Sequence, residues 1–204
     1  MTVEELAKEI ATGLIKTGIE GAFDSVSCST GGDYPSMGCS QWEGSRGNAL
    51  LSMIPGGEDF VGRTYTNIVA AGELADLKKL LGSEAGQKAQ QEMLAKDCEE
   101  YVKTLQEVPG LDDSRCVIYA GMWCPTSHYI VAKFLKNRAH RLKMRSLLAL
   151  RNVFYNEYAE AASVPFNCYA GYENRAERTY QYVAAIDLTT PYGVLPYGQY
   201  EWGR

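Results

Sequence analysis

Apolar residues recur at helical spacing along most of this chain, and the breaks in that rhythm set its organisation. Leu6, Ile10, Leu14 and Ile15 form the first apolar stripe. Ahead of it, Thr2-Val3-Glu4-Glu5 has the spacing of a capping box, with Thr2 as N-cap and Glu5 reaching back. The pattern predicts a helix from there to about 16–18, with Gly18 in the position just past a helix end. Helical periodicity returns over 45–53, stopped by Pro55-Gly56-Gly57, and over 73–81, ended by Gly82. Ser83 is placed to cap a long helix to about 108, with Ala89, Met93, Leu94, Tyr101 and Leu105 inward. Asp112 or Asp113 opens a short apolar helix through Tyr119 and Trp123, and further helices are predicted over 125–137, 141–162 and 174–185.

Residues 19–46 break the rhythm. Gly31-Gly32 and Pro35 forbid a continued helix, and Phe23, Tyr34 and Trp42 argue against disorder. Ser25-Val26-Ser27-Cys28-Ser29 alternates polar and apolar, and Gly31-Gly32 supplies a turn, so a short hairpin or a three-stranded sheet is expected here. Long ordered loops in compact domains are usually functional, which makes this the first place to look for chemistry. The last segment, 189–204, is rich in Pro, Gly and aromatics and should lack regular structure while packing through its rings. The whole pattern predicts an α+β fold, mostly α, with one small sheet.

At 204 residues and 46% hydrophobic, one domain with a full core is expected, and two helical lobes around a cleft also fit. The net charge of −5 and the absence of a long Lys/Arg run argue against nucleic-acid binding; the basic stretch 136–151 reads as a solvated helix face. No apolar run reaches membrane-spanning length, so no membrane insertion is expected. The opening Met-Thr-Val-Glu-Glu lacks the positive region of a signal peptide, which predicts synthesis as a soluble cytoplasmic chain. The six cysteines form no Cys-x-x-Cys, and the two histidines, His128 and His140, form no ligand pair, so neither metal nor cofactor is expected. Reduced, buried thiols are the simplest reading for the cysteines; Cys28 and Cys39 flank the central loop and form the one pair open to bridging.

One carboxylate stands out. Glu20 follows the predicted helix end, where the negative pole of the helix dipole opposes its charge. Apolar neighbours would add to that effect and raise its pKa, as a glycosidase acid requires. On residue physics alone a solvated glutamate in a turn is the simpler reading.

Motif order then adds to this. Glu20, Phe23-Asp24-Ser25-Val26, Gly32, Ser36-Met37-Gly38-Cys39-Ser40-Gln41-Trp42 and Arg46 leading to Leu50-Leu51 run in sequence. A second block is Glu84-Ala85-Gly86-Gln87-Lys88-Ala89-Gln90, followed by Asp97, Tyr101 and Ile118-Tyr119-Ala120. Together they resemble phage and prophage peptidoglycan hydrolases (endolysins) of the lysozyme-like superfamily. Two departures matter. Ser29-Thr30-Gly31 stands where that group carries an acidic residue before its Asn-Gly, and Gly121 stands where it carries an Asp.

The resemblance implies a lysozyme-like fold with a small sheet beside a catalytic Glu20. It implies cleavage of the β-1,4 bond between amino sugars in peptidoglycan glycan strands, by an N-acetylmuramidase or a lytic transglycosylase. Asp33 is then the nearest second carboxylate, read equally as an Asx-type turn residue, and Thr30 could orient water. Ser36, Gln41 and Trp42 fall in the block that lines the cleft of the resembled fold, and Tyr34, just ahead of that block, is read with them as substrate-binding. Tyr119 and Trp123, four apart, suit a sugar-stacking wall or, more simply, core packing. A chain synthesised in the host cytoplasm would need another protein to release it to the wall. The reading from a different class is a virion- or tail-associated wall-binding protein with a decayed site.

Overall fold

The computed structural model describes residues 1–188 and 193–194, without the side chains of Thr126, Asp187 and Val194. In chain order the elements are α1 (Val3–Thr17), β1 (Val26–Cys28), β2 (Pro35–Met37), α2 (Gly44–Ser52), α3 (Tyr65–Ala70), α4 (Leu74–Gly82) and α5 (Glu84–Leu105). There follow α6 (Ser114–Gly121), α7 (Cys124–Lys136), α8 (Leu147–Val153), a π-helical turn (Phe154–Tyr158), α9 (Ala159–Ala161), α10 (Tyr169–Ala184), β3 (Ile186–Asp187) and β4 (Gly193–Val194). The fold is α+β and mostly α. It divides into two compact units, one of residues 1–17 with 98 onward and one of 18–97.

In the first unit, the capping box forms as the sequence predicts. The Thr2 N–H donates to Glu5 Oε2 at 2.8 Å and the Glu5 N–H to Thr2 Oγ1 at 3.2 Å. Ile10 and Leu14 are fully buried, and Gly18, at φ 58°, ends the helix in the left-handed conformation that glycine adopts without strain. Residues 116–121 of α6 are buried throughout. Tyr119 and Trp123 are 0% exposed, and Trp123 packs at 4.6 Å from Phe154 and 4.9 Å from Tyr158, ring centre to ring centre. This aromatic cluster is the core of the unit, so neither ring is open to a sugar: their expected place in a substrate wall is corrected to core packing. Gly121 meets α1 directly, and a methyl there would overlap Ile10 Cδ1. The position where the resembled group carries an Asp therefore has no room for a side chain.

Four expectations change. The predicted helix over 141–162 begins only at Leu147, because Ser146 caps α8 by accepting from the Ala149 N–H at 3.3 Å. The basic stretch 136–151 therefore runs largely through turns and not along a helix face. Its cations are mostly paired: Lys136 with Glu107, Arg138 and Arg141 with Glu157, Arg145 with Asp112, and Arg151 with Glu177. The final helix starts at Tyr169, five residues before the predicted start at 174. Within the aromatic tail, Gly193 and Val194 pair with Asp187 and Ile186 as antiparallel strands, contrary to the expected irregularity; the rest of that tail lies outside the described residues.

In the second unit, β1 and β2 form the expected hairpin, with Val26 opposite Met37 and Cys28 opposite Pro35. Ser83 caps α5 by accepting from the Gly86 N–H at 3.1 Å. The short helix α3 was not legible in the sequence. Leu50, Leu51, Ile68, Leu77, Leu81 and Leu94 supply the unit's apolar interior.

Two measurements check this packing. Gly121→Ala should destabilise the protein by about 1–3 kcal/mol, the usual cost of an extra methyl in a filled core, read from urea unfolding. Glu9 is 3% exposed on α1, and burial raises its pKa against the opposing pull of Lys16 and Lys8. A raised folded pKa gives stability that is complete below the ordinary glutamate value, roughly 4.3, and is lost as pH climbs through the raised value. Glu9→Gln should remove that decline, so the variant is the more stable protein at neutral pH; a decline as steep as in the parent would disprove it.

Candidate functional site

Glu20 stands two residues beyond Gly18 and is half-buried, with its Oε1 atom out of contact with solvent. The next residue, Gly21, is closed in by Ser25 Oγ, Gln41 Nε2 and the Gly38 carbonyl, each 3.0–3.1 Å from where a Cβ would sit. The chain after Glu20 therefore lies against the base of the β1–β2 hairpin. A tight turn holds it there: the Ala22 N–H donates to Ser25 Oγ at 2.8 Å, and the Gly38 N–H to the Ser25 carbonyl at 2.8 Å.

Gln41 is the centre of the polar groups at this base. Its backbone is left-handed at φ 51°, a conformation that costs a non-glycine residue energy and tends to persist at functional sites. Its Oε1 accepts from Ser27 Oγ and from Ser36 Oγ, both at 3.1 Å, and its Nε2 donates to the Gly38 carbonyl at 2.9 Å. Ser36, 4% exposed, is thus committed to orienting Gln41. Trp42 is buried, and its indole N–H donates to Asp97 Oδ2 at 2.9 Å, while Asp97 Oδ1 takes Arg46. Trp42 is consequently a structural anchor here, and its ring is not presented to a ligand.

The turn between the strands carries the other expected residues. Ser29 and Tyr34 close it through the Ser29 N–H to Tyr34 carbonyl bond at 2.9 Å, leaving Thr30, Gly31, Gly32 and Asp33 exposed at the tip. Tyr34 presents its ring to solvent, at 52% exposed. Asp33 has a structural partner: its Oδ1 accepts from the Thr66 N–H at 2.9 Å and the Thr66 hydroxyl at 3.0 Å, and its carbonyl accepts from the Tyr65 N–H at 3.1 Å. Those amides are orphan donors of the first turn of α3. The Thr66 N–H, opposed only in part by desolvation, holds the Asp33 carboxyl below its ordinary range, so it stays ionised and is a weak base. Asp33 lies in the turn beyond the outer end of β2, whose three residues Pro35–Met37 separate that turn from Gly38 at the hairpin base. Glu20 belongs to the base, and Thr30 and Asp33 to the tip.

Gln90 is the residue sequence reasoning passed over. It is 0% exposed on α5, and all of its amide's principal bonds go to backbone. Its Oε1 accepts from the Cys39 N–H at 3.0 Å, and its Nε2 donates to the carbonyls of Phe23 and Leu81, both at 3.0 Å. It thereby ties the turn after Glu20 to the hairpin exit and to the end of α4. Gly38 must be glycine to admit it, since a Cβ there would overlap Gln90 Oε1. The readable signal is spacing: Gly86, Ala89, Gln90, Leu94 and Asp97 are all buried, so two polar side chains lie on an otherwise apolar stripe.

None of the six cysteines is in a disulfide; Cys28 and Cys168 are exposed, and burial drives the Cys39 thiol up to about 12. The two exposed thiols differ from the uniformly buried set that the sequence suggests. Among the described residues, no three His, Cys, Asp or Glu side chains gather where a metal could be held. Comparison with protein-family models, with curated proteins and with solved structures finds no match to this chain.

Gln90→Leu keeps the volume and leaves the Cys39 N–H and the Phe23 and Leu81 carbonyls unpaired in the interior. At about 1–3 kcal/mol for each orphaned group, the loss should exceed about 3 kcal/mol by chemical denaturation. A loss under about 1 kcal/mol would contradict the role given to this amide.

Proposed function

We propose that this protein cleaves the β-1,4 glycosidic bond between amino sugars of peptidoglycan, on a lysozyme-like fold, with Glu20 as the acid. The observation that carries the reading is the setting of Glu20: a half-buried carboxyl with one oxygen shielded from water, held by a helix stop on one side and the Gly21–Gln41 contact on the other. The sequence order around it, which resembles the endolysins described above, supports the same assignment. Gln41 keeps one Nε2–H beyond its bonds to Ser27, Ser36 and Gly38, a fixed donor that suits the carbonyl of an acetamido group, and the exposed Tyr34 ring suits stacking on a sugar face.

The two versions of the reaction need different carboxylates. Hydrolysis by inversion needs a second carboxylate about 6.5–9.5 Å from the first, and retention needs one at about 5–5.5 Å. Asp33 is bound to α3, held ionised and set at the hairpin tip, which weighs against it in either role. The single-acid route is therefore preferred. Protonated Glu20 gives its proton to the glycosidic oxygen as the bond to the anomeric carbon breaks. The resulting carboxylate then takes the proton of the substrate's own C6 hydroxyl, whose oxygen closes onto the anomeric carbon. The products are a free hydroxyl end and a 1,6-anhydro sugar, with Glu20 protonated again.

Glu20→Gln should lower the rate of wall lysis by about 10² to 10⁴, the usual worth of general acid help, without loss of folding. Asp33→Asn should leave the rate within a few-fold of the parent, with 1,6-anhydro products by mass spectrometry of digested peptidoglycan. Severe loss in Asp33→Asn together with ordinary reducing ends would restore the two-carboxylate hydrolase. Wall binding without any lysis by the parent would instead favour the decayed wall-binding protein.

A further inference from the structure

The second unit contains a recess of about 80 Å³ between β2, α2 and the segment leading into α3. Tyr34, Gly44, Asn48, Gly62 and Arg63 surround it, over a floor of buried Pro35 and Met37. At about 30 Å³ for each water-sized group, it holds about three such groups. That is far below the roughly 300 Å³ of a pocket for a whole small molecule, so the recess suits one substituent of a larger ligand. Tyr34 borders it with its ring open to solvent, so a sugar stacked on that ring would bring its own substituent there.

Asn48 gives the recess a fixed donor. Its Oδ1 accepts from the Gly62 N–H at 2.9 Å. The other end of the amide is therefore Nδ2, which has no hydrogen bond among the described residues. Gly44 and Gly62 are left-handed, at φ 52° and 77°, and a Cβ at either would meet nothing within 4 Å. Both walls are bare backbone, open to close approach. They are also held in place. The Tyr65 N–H donates to the Asp33 carbonyl at 3.1 Å and the Thr66 N–H to Asp33 Oδ1 at 2.9 Å. Those bonds tie the strand that follows Tyr34 to the segment that carries Gly62 and Arg63. With the Asn48 bond on the other side, little is left to be ordered on binding.

The recess offers no net charge, because Arg63 is paired with Glu73. A fixed N–H donor beside bare backbone and an open ring matches a neutral amide carbonyl better than a carboxylate. Two kinds of amide branch from the sugars of peptidoglycan: the acetamido group, and the lactoyl–alanyl amide that begins the stem peptide. Gln41 is placed for the first. It lies on the other face of β2, since Ser36, which orients it, alternates along the strand with Pro35 and Met37, which floor the recess. The recess is left for the second.

We propose that this recess takes the first stem-peptide amide of the muramoyl sugar stacked on Tyr34, with Asn48 Nδ2 donating to its carbonyl, so that strands carrying their peptides are preferred. The proposal rests on the glycan-cleaving reading and is tested apart from it. Muramyl dipeptide is titrated into the full chain and followed by amide NMR, with N-acetylglucosamine as a sugar without the peptide. Muramyl dipeptide should shift the signals of Gly44 and Gly62 and bind about tenfold more tightly than N-acetylglucosamine, the scale of one hydrogen bond. Asn48→Asp keeps an oxygen for the Gly62 N–H and removes the donor, so it should abolish that advantage. The parent protein should also cleave intact strands with a kcat/KM about tenfold above strands stripped of their peptides by an amidase. Equal cleavage of the two would overturn the recess and leave the glycan-cleaving reading standing. N-acetylglucosamine shifting Gly44 and Gly62 as strongly as muramyl dipeptide, or a folded Asn48→Asp protein that binds the dipeptide unchanged, would overturn it as well. Tenfold preference in binding with no cleavage of either strand would uphold the recess and sink the glycan-cleaving reading.

Discussion

The unit of residues 18–97 depends on one buried amide. A glutamine side chain taken wholly out of water is costly unless its hydrogen bonds are replaced, and Gln90 replaces three of them with backbone groups from three separate segments. None of those segments, the turn at Phe23, the step at Cys39 or the end of α4 at Leu81, has a regular-structure partner for the group that Gln90 satisfies. The amide therefore does what a sheet would otherwise do: it sets the distance between a helix end and a hairpin. In a low-dielectric interior such bonds are strong when made and expensive when lost, which makes the arrangement discriminating as well as stabilising. Asp97, two turns further along α5, repeats the device with Trp42 and Arg46.

The candidate site inherits its geometry from that arrangement. Glu20 is positioned by what precedes and follows it: a left-handed Gly18 ends the helix, and Gly21 allows the chain to pass against Gln41. Gln41 in turn is locked by Ser27 and Ser36 from the two strands. Polar residues that would be free to meet a ligand in an open loop are here spent on orienting one another. That leaves Glu20, Gln41 and Tyr34 as the groups to which the chemistry can be ascribed. Asp33, although close in sequence, is drawn away because the first turn of α3 has unsatisfied N–H groups and a carboxylate is their best partner.

The other unit solves its packing with rings. Tyr119, Trp123, Phe154 and Tyr158 fill the space between α6, α8, the π-helical turn and α10, and the one-residue widening of that turn sits where two of those rings must pack against Trp123. Close packing leaves nothing for side chains at Gly121, while a cavity beside Tyr158 lies at the edge of the same cluster.

What the sequence determined was what neighbouring residues decide among themselves. The capping box at Thr2 and Glu5, the stop at Gly18, the hairpin around Gly31-Gly32 and the Ser83 cap each involve groups within a few residues, and each formed as read. The mostly helical α+β class followed from summing such signals. Tertiary structure alone decided which of several satisfactory partners a polar group would take. Asp33 could have faced a substrate or solvent and instead met Thr66, thirty-three positions away. Gln90 stood in the sequence only as one member of a motif block, and its role appeared once the Cys39 N–H, fifty-one positions distant, took it as acceptor. Tyr119 and Trp123 had the spacing for a wall or a core, and only the arrival of Phe154 and Tyr158 buried them. Local rules fix backbone conformation because the competing states are few and near at hand. Long-range pairing is settled by desolvation, and its cost is known only once the interior exists.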